Sequence, residues 1–240
     1  MGQRVLDPIE AIRGRLVVSC QAEPGEPLDD PGIMAGLAHS AALGDAGGIR
    51  AREVPNIQAI RRLVDLPIIG IEKTKYADGG VLVTEDVESG KRIAAAGADI
   101  IAVDVTNRPR PNGTPSTEVL AQIIELGLPV MADVSSVAEG IEAEEAGAAL
   151  VATTLAGYFP YDPVALAGPP NVELVSALVN ALRVPVVAEG RYRTPDEVVQ
   201  AFEAGAWAVV IGEAITKPIM TTRRFTDRIE RMRDSGTRTA

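Results

Sequence analysis

The sequence predicts a closed (β/α)8 barrel, the TIM-barrel fold, and three observations carry that expectation. Short apolar runs end in polar groups: Leu16-Val17-Val18-Ser19-Cys20 in Gln21, Pro67-Ile68-Ile69-Gly70-Ile71 in Glu72-Lys73, Asp99-Ile100-Ile101-Ala102-Val103 in Asp104, and Val186-Val187-Ala188 in Glu189. Strands that finish in functional groups and alternate with helices describe the catalytic end of such a barrel. An Ala-Gly pair recurs at Ala46-Gly47, Ala96-Gly97, Ala146-Gly147 and Ala204-Gly205. A doubled βαβ unit repeating about every 50 residues favours closure over an open sheet. The length, 240 residues, suits one barrel and needs no second domain, so residues 1–240 are expected to form a single unit.

The elements follow in order. Gly in each Ala-Gly pair suits a left-handed helix C-cap, whereas Leu66-Pro67, Leu128-Pro129 and Val184-Pro185 stop helices and open strands. These junctions alternate, placing strand one at 16–21 and strands two to eight near 48–51, 67–73, 99–105, 129–134, 150–154, 185–189 and 207–212. Helices fill the intervals: Ser116 or Thr117 caps the one through Glu125, Ser135-Ser136 the one through Glu145, and Thr194 the one that begins at Pro195. Residues 7–13 are expected as a short helix over the N-terminal end of the barrel and 225–232 as the final helix. Residues 157–170, rich in Pro, Gly and Tyr, form the longest irregular stretch, on the face where binding loops occur.

Composition narrows the function. Hydrophobic residues make up 46% and aromatics only 3%, so the core must be built from Val, Ile, Leu and Ala, as in buried parallel strands. A net charge of −10 without a Lys/Arg-rich tract repels nucleic acid and anionic membranes, and neither is expected as a partner. A local cluster of Arg and Lys can still bind an anionic small molecule. The one cysteine, Cys20, forms no intrachain disulfide, the Met1 segment lacks an apolar signal core, and no apolar run reaches the length of a membrane span. A soluble, cytoplasmic protein is expected.

Candidate chemistry comes from alternation. Side chains two apart share one face of a strand, so Ser19 goes with Gln21, Ile71 with Lys73, Met131 with Asp133 and Val187 with Glu189. With those faces inward, the polar heads converge at the barrel mouth. A lone strand-end lysine is usually solvated or ion-paired; convergence of Lys73, Asp133 and Glu189 favours catalysis or a structural ion pair. Lys75 has two readings, a like charge that lowers the pKa of Lys73 or a solvated loop residue. Gly190-Arg191 follows strand seven and Gly212 to Lys217 follows strand eight, where barrels of this kind recurrently bind phosphate. His39, on the first long helix, and Cys20 read as packing residues, not metal ligands.

Several segments in unbroken order resemble a known family. They are Val17-Val18-Ser19-Cys20-Gln21-Ala22, Gly48-Ile49-Arg50-Ala51, Pro67-Ile68-Ile69-Gly70-Ile71-Glu72-Lys73, Asp104 to Asn112 (DVTNRPRPN), Met131-Ala132-Asp133, Thr153 to Tyr158 (TTLAGY), Ala188-Glu189-Gly190-Arg191 and Ala214-Ile215-Thr216-Lys217-Pro218. Together they are similar to bacterial N-acetylmannosamine-6-phosphate 2-epimerases. The resemblance implies a cofactor-independent, metal-free isomerase of sialic acid breakdown whose substrate is a small amino-sugar phosphate, and a homodimer built partly with the last helix. It implies that Lys73 and Glu189 are the catalytic pair, that Gln21, Arg50 and Asp133 line the sugar site, and that Gly190, Arg191, Gly212 and Lys217 belong to the phosphate-binding segments. Two positions depart from the pattern: Lys217 stands where Arg is frequent, losing the planar fork, and Glu213 puts a carboxylate beside the phosphate loop.

Inverting C2 of an N-acetylhexosamine means opening the ring, removing the proton alpha to the C1 aldehyde and returning it to the other face. Neutral Lys73 suits the base, and Glu189 suits hydroxyl proton transfer or the opposite face. Two alternatives remain: a lyase forming a Schiff base on Lys73, as in aldolases, and a non-catalytic sugar-phosphate binder.

Overall fold

The computed structural model describes residues 7–76, 80–159 and 161–234. Strand interiors sort by parity into two buried layers. Val17, Ile69, Ile71, Ile100, Ala102, Met131, Leu150, Ala152, Val187, Ala208 and Val210 pack on one another inside the ring, while their chain neighbours pack outward against helices. Burial on both faces accounts for the continuous apolar runs.

Eight parallel strands close that ring: β1 (Leu16–Cys20), β2 (Gly48–Arg52), β3 (Ile68–Ile71), β6 (Ile100–Asp104), β7 (Val130–Asp133), β8 (Leu150–Ala152), β9 (Val186–Glu189) and β10 (Ala208–Ile211). Their order is β1-β10-β9-β8-β7-β6-β3-β2, with β1 pairing both β10 and β2. Every expected strand is present within a few residues. The difference lies after β3: the barrel strand ends at Ile71, and Lys73 opens an antiparallel hairpin of β4 (Lys73–Lys75) and β5 (Val81–Val83). Leu82 and Val83 are buried and anchor this hairpin on the barrel.

Outer helices include α2 (Pro31–Leu43), α3 (Val54–Arg61), α4 (Val87–Ala96), α5 (Ser116–Ile124), α6 (Val137–Glu145), α8 (Val172–Ala181) and α9 (Pro195–Glu203). Ser136 and Thr194 each form a full capping box, with Glu139 and Glu197. The α5 start differs, because Pro115 occupies the N-cap and no side chain caps it. The Ala-Gly junctions also split. Gly97, Gly147 and Gly205 adopt positive φ as expected, but at the first junction Asp45 takes the left-handed conformation. Gly47 is instead a matter of space, since a Cβ there would sit 2.4 Å from Arg15 Cβ.

The N-terminal end is plugged by α1 (Pro8–Ala11) and Ile12, which is fully buried among the interior strand residues. Trp207 Nε1 donates to Ile9 O at 2.9 Å, and the Arg13 guanidinium lies 4.4 Å from the Trp207 ring centroid. At the other end, the stretch expected as irregular contains a short helix, α7 (Pro163–Ala167), capped by Asp162. After β10 come α10 (Glu213–Thr216) and α11 (Pro218–Asp234), the latter starting earlier than expected and carrying no buried residue. His39 is exposed on α2, not packed, and Cys20 is a buried thiol. No helix among the described residues is long and apolar enough to cross a membrane. The Met1 segment lies outside the described residues.

Candidate active site

Inward parity extends each apolar column into a polar group at the C-terminal mouth. Val17 leads to Ser19, Met131 to Asp133, Val187 to Glu189 and Ala152 to Thr154. Arg50, on β2, is 1% exposed, and Asp133 is completely buried. The Arg50 guanidinium forms a fork on Asp133, with a 3.2 Å bond from Nη1 to Oδ1, and also pairs with Glu189. Thr154 donates to Asp133 Oδ1 at 2.7 Å, and Thr153 Oγ1 accepts from the Glu189 main-chain N–H at 3.0 Å. A buried and a largely buried carboxylate thus share one cation, which is how such charges are tolerated out of water. Burial pushes the Glu189 carboxyl up to about 6; Arg50 pulls it down and Asp133 pushes it up.

Lys73 occupies the opposite part of the mouth. Burial lowers its pKa, Glu23 acts the other way, and the cations Arg52, Arg50 and Lys217 lower it further. Its Nζ lies 3.6 Å from Glu23 Oε1, and its main-chain N–H donates to Glu53 Oε1 at 3.3 Å. Lys75 Nζ pairs with Glu23 at 2.8 Å, and the leading repulsion on Lys73 comes from Arg52, Arg50 and Lys217. Glu72, of opposite parity, turns away to Arg92 at 2.6 Å. Asp104 is an organiser of its loop, accepting from Thr106 N–H at 3.0 Å and pairing with Arg108.

The expected phosphate segments lie at the mouth with distinct geometries. Gln21 Nε2 donates to Ser19 Oγ at 2.7 Å. A Cβ on Gly212 would meet Ser19 Cβ at 3.2 Å, and Thr216 Oγ1 donates to Ser19 O at 2.7 Å, so α10 is fastened to the end of β1. Lys217 Nζ lies 3.7 Å from Glu26 Oε2. Gly190 has φ +111°, and Arg191 is itself in the left-handed region at +66°. Arg191 donates to Pro169 O at 2.9 Å and to Ala156 O at 2.7 Å, so two of its donors tether the loop after β8. Glu213 and Arg191 both act on Tyr158 of that loop, raising and lowering the phenol pKa respectively, beneath the larger effect of burial. Glu53 and Thr84 are further non-glycine residues at positive φ beside the mouth, and such strain concentrates at functional sites.

Three residues of this cluster escaped the sequence reading. Thr154 and Arg52 were discernible, since each continues an inward column, after Ala152 and Arg50 respectively. Glu23 was not, because it lies in a loop where no periodicity assigns a direction.

A closed parallel barrel with ionisable side chains gathered at its C-terminal mouth is the architecture of (β/α)8-barrel enzymes. The family described as "Putative N-acetylmannosamine-6-phosphate epimerase" matches residues 34–231. Proteins named "Putative N-acetylmannosamine-6-phosphate 2-epimerase" are similar over nearly the whole chain. The one from Caldanaerobacter subterraneus subsp. tengcongensis is 44% identical, covering 97% of this chain and 98% of its own. That from Clostridioides difficile is 42% identical, covering 92% and 99%. The solved N-acetylmannosamine-6-phosphate 2-epimerase from Clostridium perfringens superposes with a TM-score of 0.89 at 38% identity, covering 95% of this chain and 99% of that one. The chain belongs to the N-acetylmannosamine-6-phosphate 2-epimerase family.

Proposed function

We propose that this enzyme interconverts N-acetylmannosamine 6-phosphate and N-acetylglucosamine 6-phosphate by removing and returning the proton at C2. The observation that carries the reading is the opposition of Lys73 and Glu189 across one barrel mouth, each with a pKa displaced towards the neutral range. With the ring open, neutral Lys73 takes the C2 proton, and the C–H electron pair forms the C1=C2 double bond while the C1 carbonyl oxygen becomes an enolate oxyanion. Arg50, fixed by Asp133 and Glu189, supplies positive charge for the developing oxyanion. Glu189 relays the hydroxyl proton, and the C2 proton returns to the opposite face. Gln21 and Ser19 line the sugar site, while the main chain at Gly190 and Gly212, with Arg191 and Lys217, receives the 6-phosphate.

A coupled assay for N-acetylglucosamine 6-phosphate formed from N-acetylmannosamine 6-phosphate tests the reading. Turnover without added cofactor or metal is expected, and a folded protein that releases none overturns it. Borohydride treatment with substrate should leave Lys73 unmodified; an adduct there would establish Schiff-base lyase chemistry.

We propose further that α11 forms part of a homodimer contact. Supporting this, α11 carries no buried residue and exposes Phe225 (69%) with Ile219 and Ile229. Sedimentation of Phe225→Glu against the parent is the check, with a shift to monomer expected. The buried thiol of Cys20 supports a reducing, cytoplasmic setting.

A further inference from the structure

The loop following β1 brings a carboxylate to Lys73 that the proton transfer itself does not consume. Glu23 Oε1 lies 3.6 Å from Lys73 Nζ, and its Oε2 lies 2.8 Å from Lys75 Nζ and 3.1 Å from Arg52 Nη1. Among the described residues it is the one carboxylate paired with Lys73. The loop is braced without using the Glu23 side chain: Glu26 Oε2 accepts from the Glu23 N–H at 2.7 Å, and the Glu26 N–H donates to Glu23 O at 2.9 Å. Arg52 has other partners as well, Ala22 O at 3.2 Å and Glu53 at 2.8 Å.

We propose that Glu23 is a positioning residue for the C2 proton transfer, tethering Lys73 to the loop after β1 and setting the pH below which Lys73 is lost as a base. The proposal rests on the assignment of Lys73 as that base.

The charges facing Lys73 make the argument. Arg50 and Arg52 approach from β2, Lys217 from the end of α10, Lys75 from the same hairpin, and Glu53 bonds its main chain. Against that many cations, an untethered ammonium is driven away from the mouth or into its neutral form. Among the described residues, Glu23 is the carboxylate that pairs with the Lys73 ammonium and opposes both tendencies. Burial pushes the Glu23 carboxyl up, but Lys75, Lys73 and Arg52 outweigh burial and hold it at about 2, so it is ionised throughout the neutral range. Lys75 competes for the same carboxylate, which makes the two residues opposing controls on one amine.

The test uses protein labelled with 13C-lysine. The chain has four lysines, so the Lys73 Cε resonance is assigned with Lys73→Arg. Its titration is followed beside the pH dependence of C2 proton exchange. In Glu23→Gln the Lys73 midpoint should fall by roughly one pH unit, as expected for losing an opposite charge about 4 Å away near water. The acid limb of exchange should fall with it. In Lys75→Ala, a change at a half-exposed site, both should rise, because a like charge is removed and Glu23 is released to Lys73. Glu23→Asp, which keeps the charge, should recover most of the parent midpoint. A midpoint unmoved in Glu23→Gln, or one moving the same way in both variants, overturns the proposal. Failure of the underlying assignment looks different: Lys73→Ala would then keep exchanging the C2 proton.

Discussion

Lys73, two residues beyond β3, and Glu189, the last residue of β9, face each other from strands four places apart in a ring of eight. They are diametrically opposed, and they are held by different means. Glu189 is locked into the buried Arg50–Asp133–Thr154 cluster, whereas Lys73 is tied at 3.6 Å to a loop carboxylate at the rim. A sugar between them meets a rim amine tied to one loop carboxylate on one side and a carboxyl held in the Arg50 cluster on the other, an asymmetry suited to two distinct proton-transfer tasks.

The first prediction follows directly. Lys73→Ala and Glu189→Gln should each lower kcat by about 10²–10⁴-fold, the range typical of general acid–base groups. Turnover in deuterated water should place deuterium at C2, because a lysine ammonium exchanges its protons before one returns. Lys73→Ala should lose that exchange; exchange at the parent rate would make Glu189 the next candidate for the base.

Glu189 also couples stability to pH. Its folded-state pKa is raised from 4.5 to about 6, chiefly by burial, so the folded protein binds more protons than the unfolded chain across that interval. Stability from this group is therefore present below 4.5 and lost as pH rises through 6. Glu189→Gln imitates the protonated form. Between pH 4.5 and pH 7.5 the parent should lose up to about 2 kcal/mol relative to the variant, from a shift of about 1.5 units. Paired denaturant titrations at the two pH values read this difference; a parent that gains on the variant instead would mean that Arg50 holds Glu189 ionised.

What the sequence made legible was whatever strand alternation governs. Asp133 and Glu189 lie on inward columns, and period two together with a closed ring leaves them no other place to converge, whereas Arg50 was expected from the family resemblance alone. Lys73 keeps inward parity although its strand ended at Ile71. Groups placed by loop geometry were not legible. Glu23 and Arg191 owe their partners to turns, and the Arg191 guanidinium serves loop carbonyls that no spacing rule anticipates. The β4–β5 hairpin was hidden for a similar reason: two strands of three residues give too short a run for periodicity to register.

Gly70 offers a test of how the barrel carries Lys73. A Cβ there would lie 2.4 Å from Ile93 Cγ2 and 2.8 Å from Ala98 Cβ, both buried. β3 therefore sits against α4 at a distance only glycine allows. Gly70→Ala should destabilise by about 1–3 kcal/mol, the usual cost of overpacking. It should also reduce kcat, since the same strand leads into Lys73. A variant with parent Tm and parent kcat would show that α4 yields without disturbing β3.

The last prediction concerns the anion. Lys217 Nζ rests 3.7 Å from Glu26 Oε2, with about a quarter of its side chain exposed, so its charge is weakly engaged and open to a stronger partner. A phosphate dianion beside Gly212 would compete with Glu26 for that amine, and charge-assisted bonds are the stronger kind. Removing such a bond typically costs about 1.5–3 kcal/mol, so Lys217→Ala should raise KM for the 6-phosphate by roughly 10–100-fold while kcat changes little. Unphosphorylated N-acetylmannosamine should be a poor substrate for the parent and no poorer for the variant. Equal turnover of the two sugars by the parent would remove the phosphate from its role as anchor, leaving the Lys217–Glu26 pair as a structural contact alone.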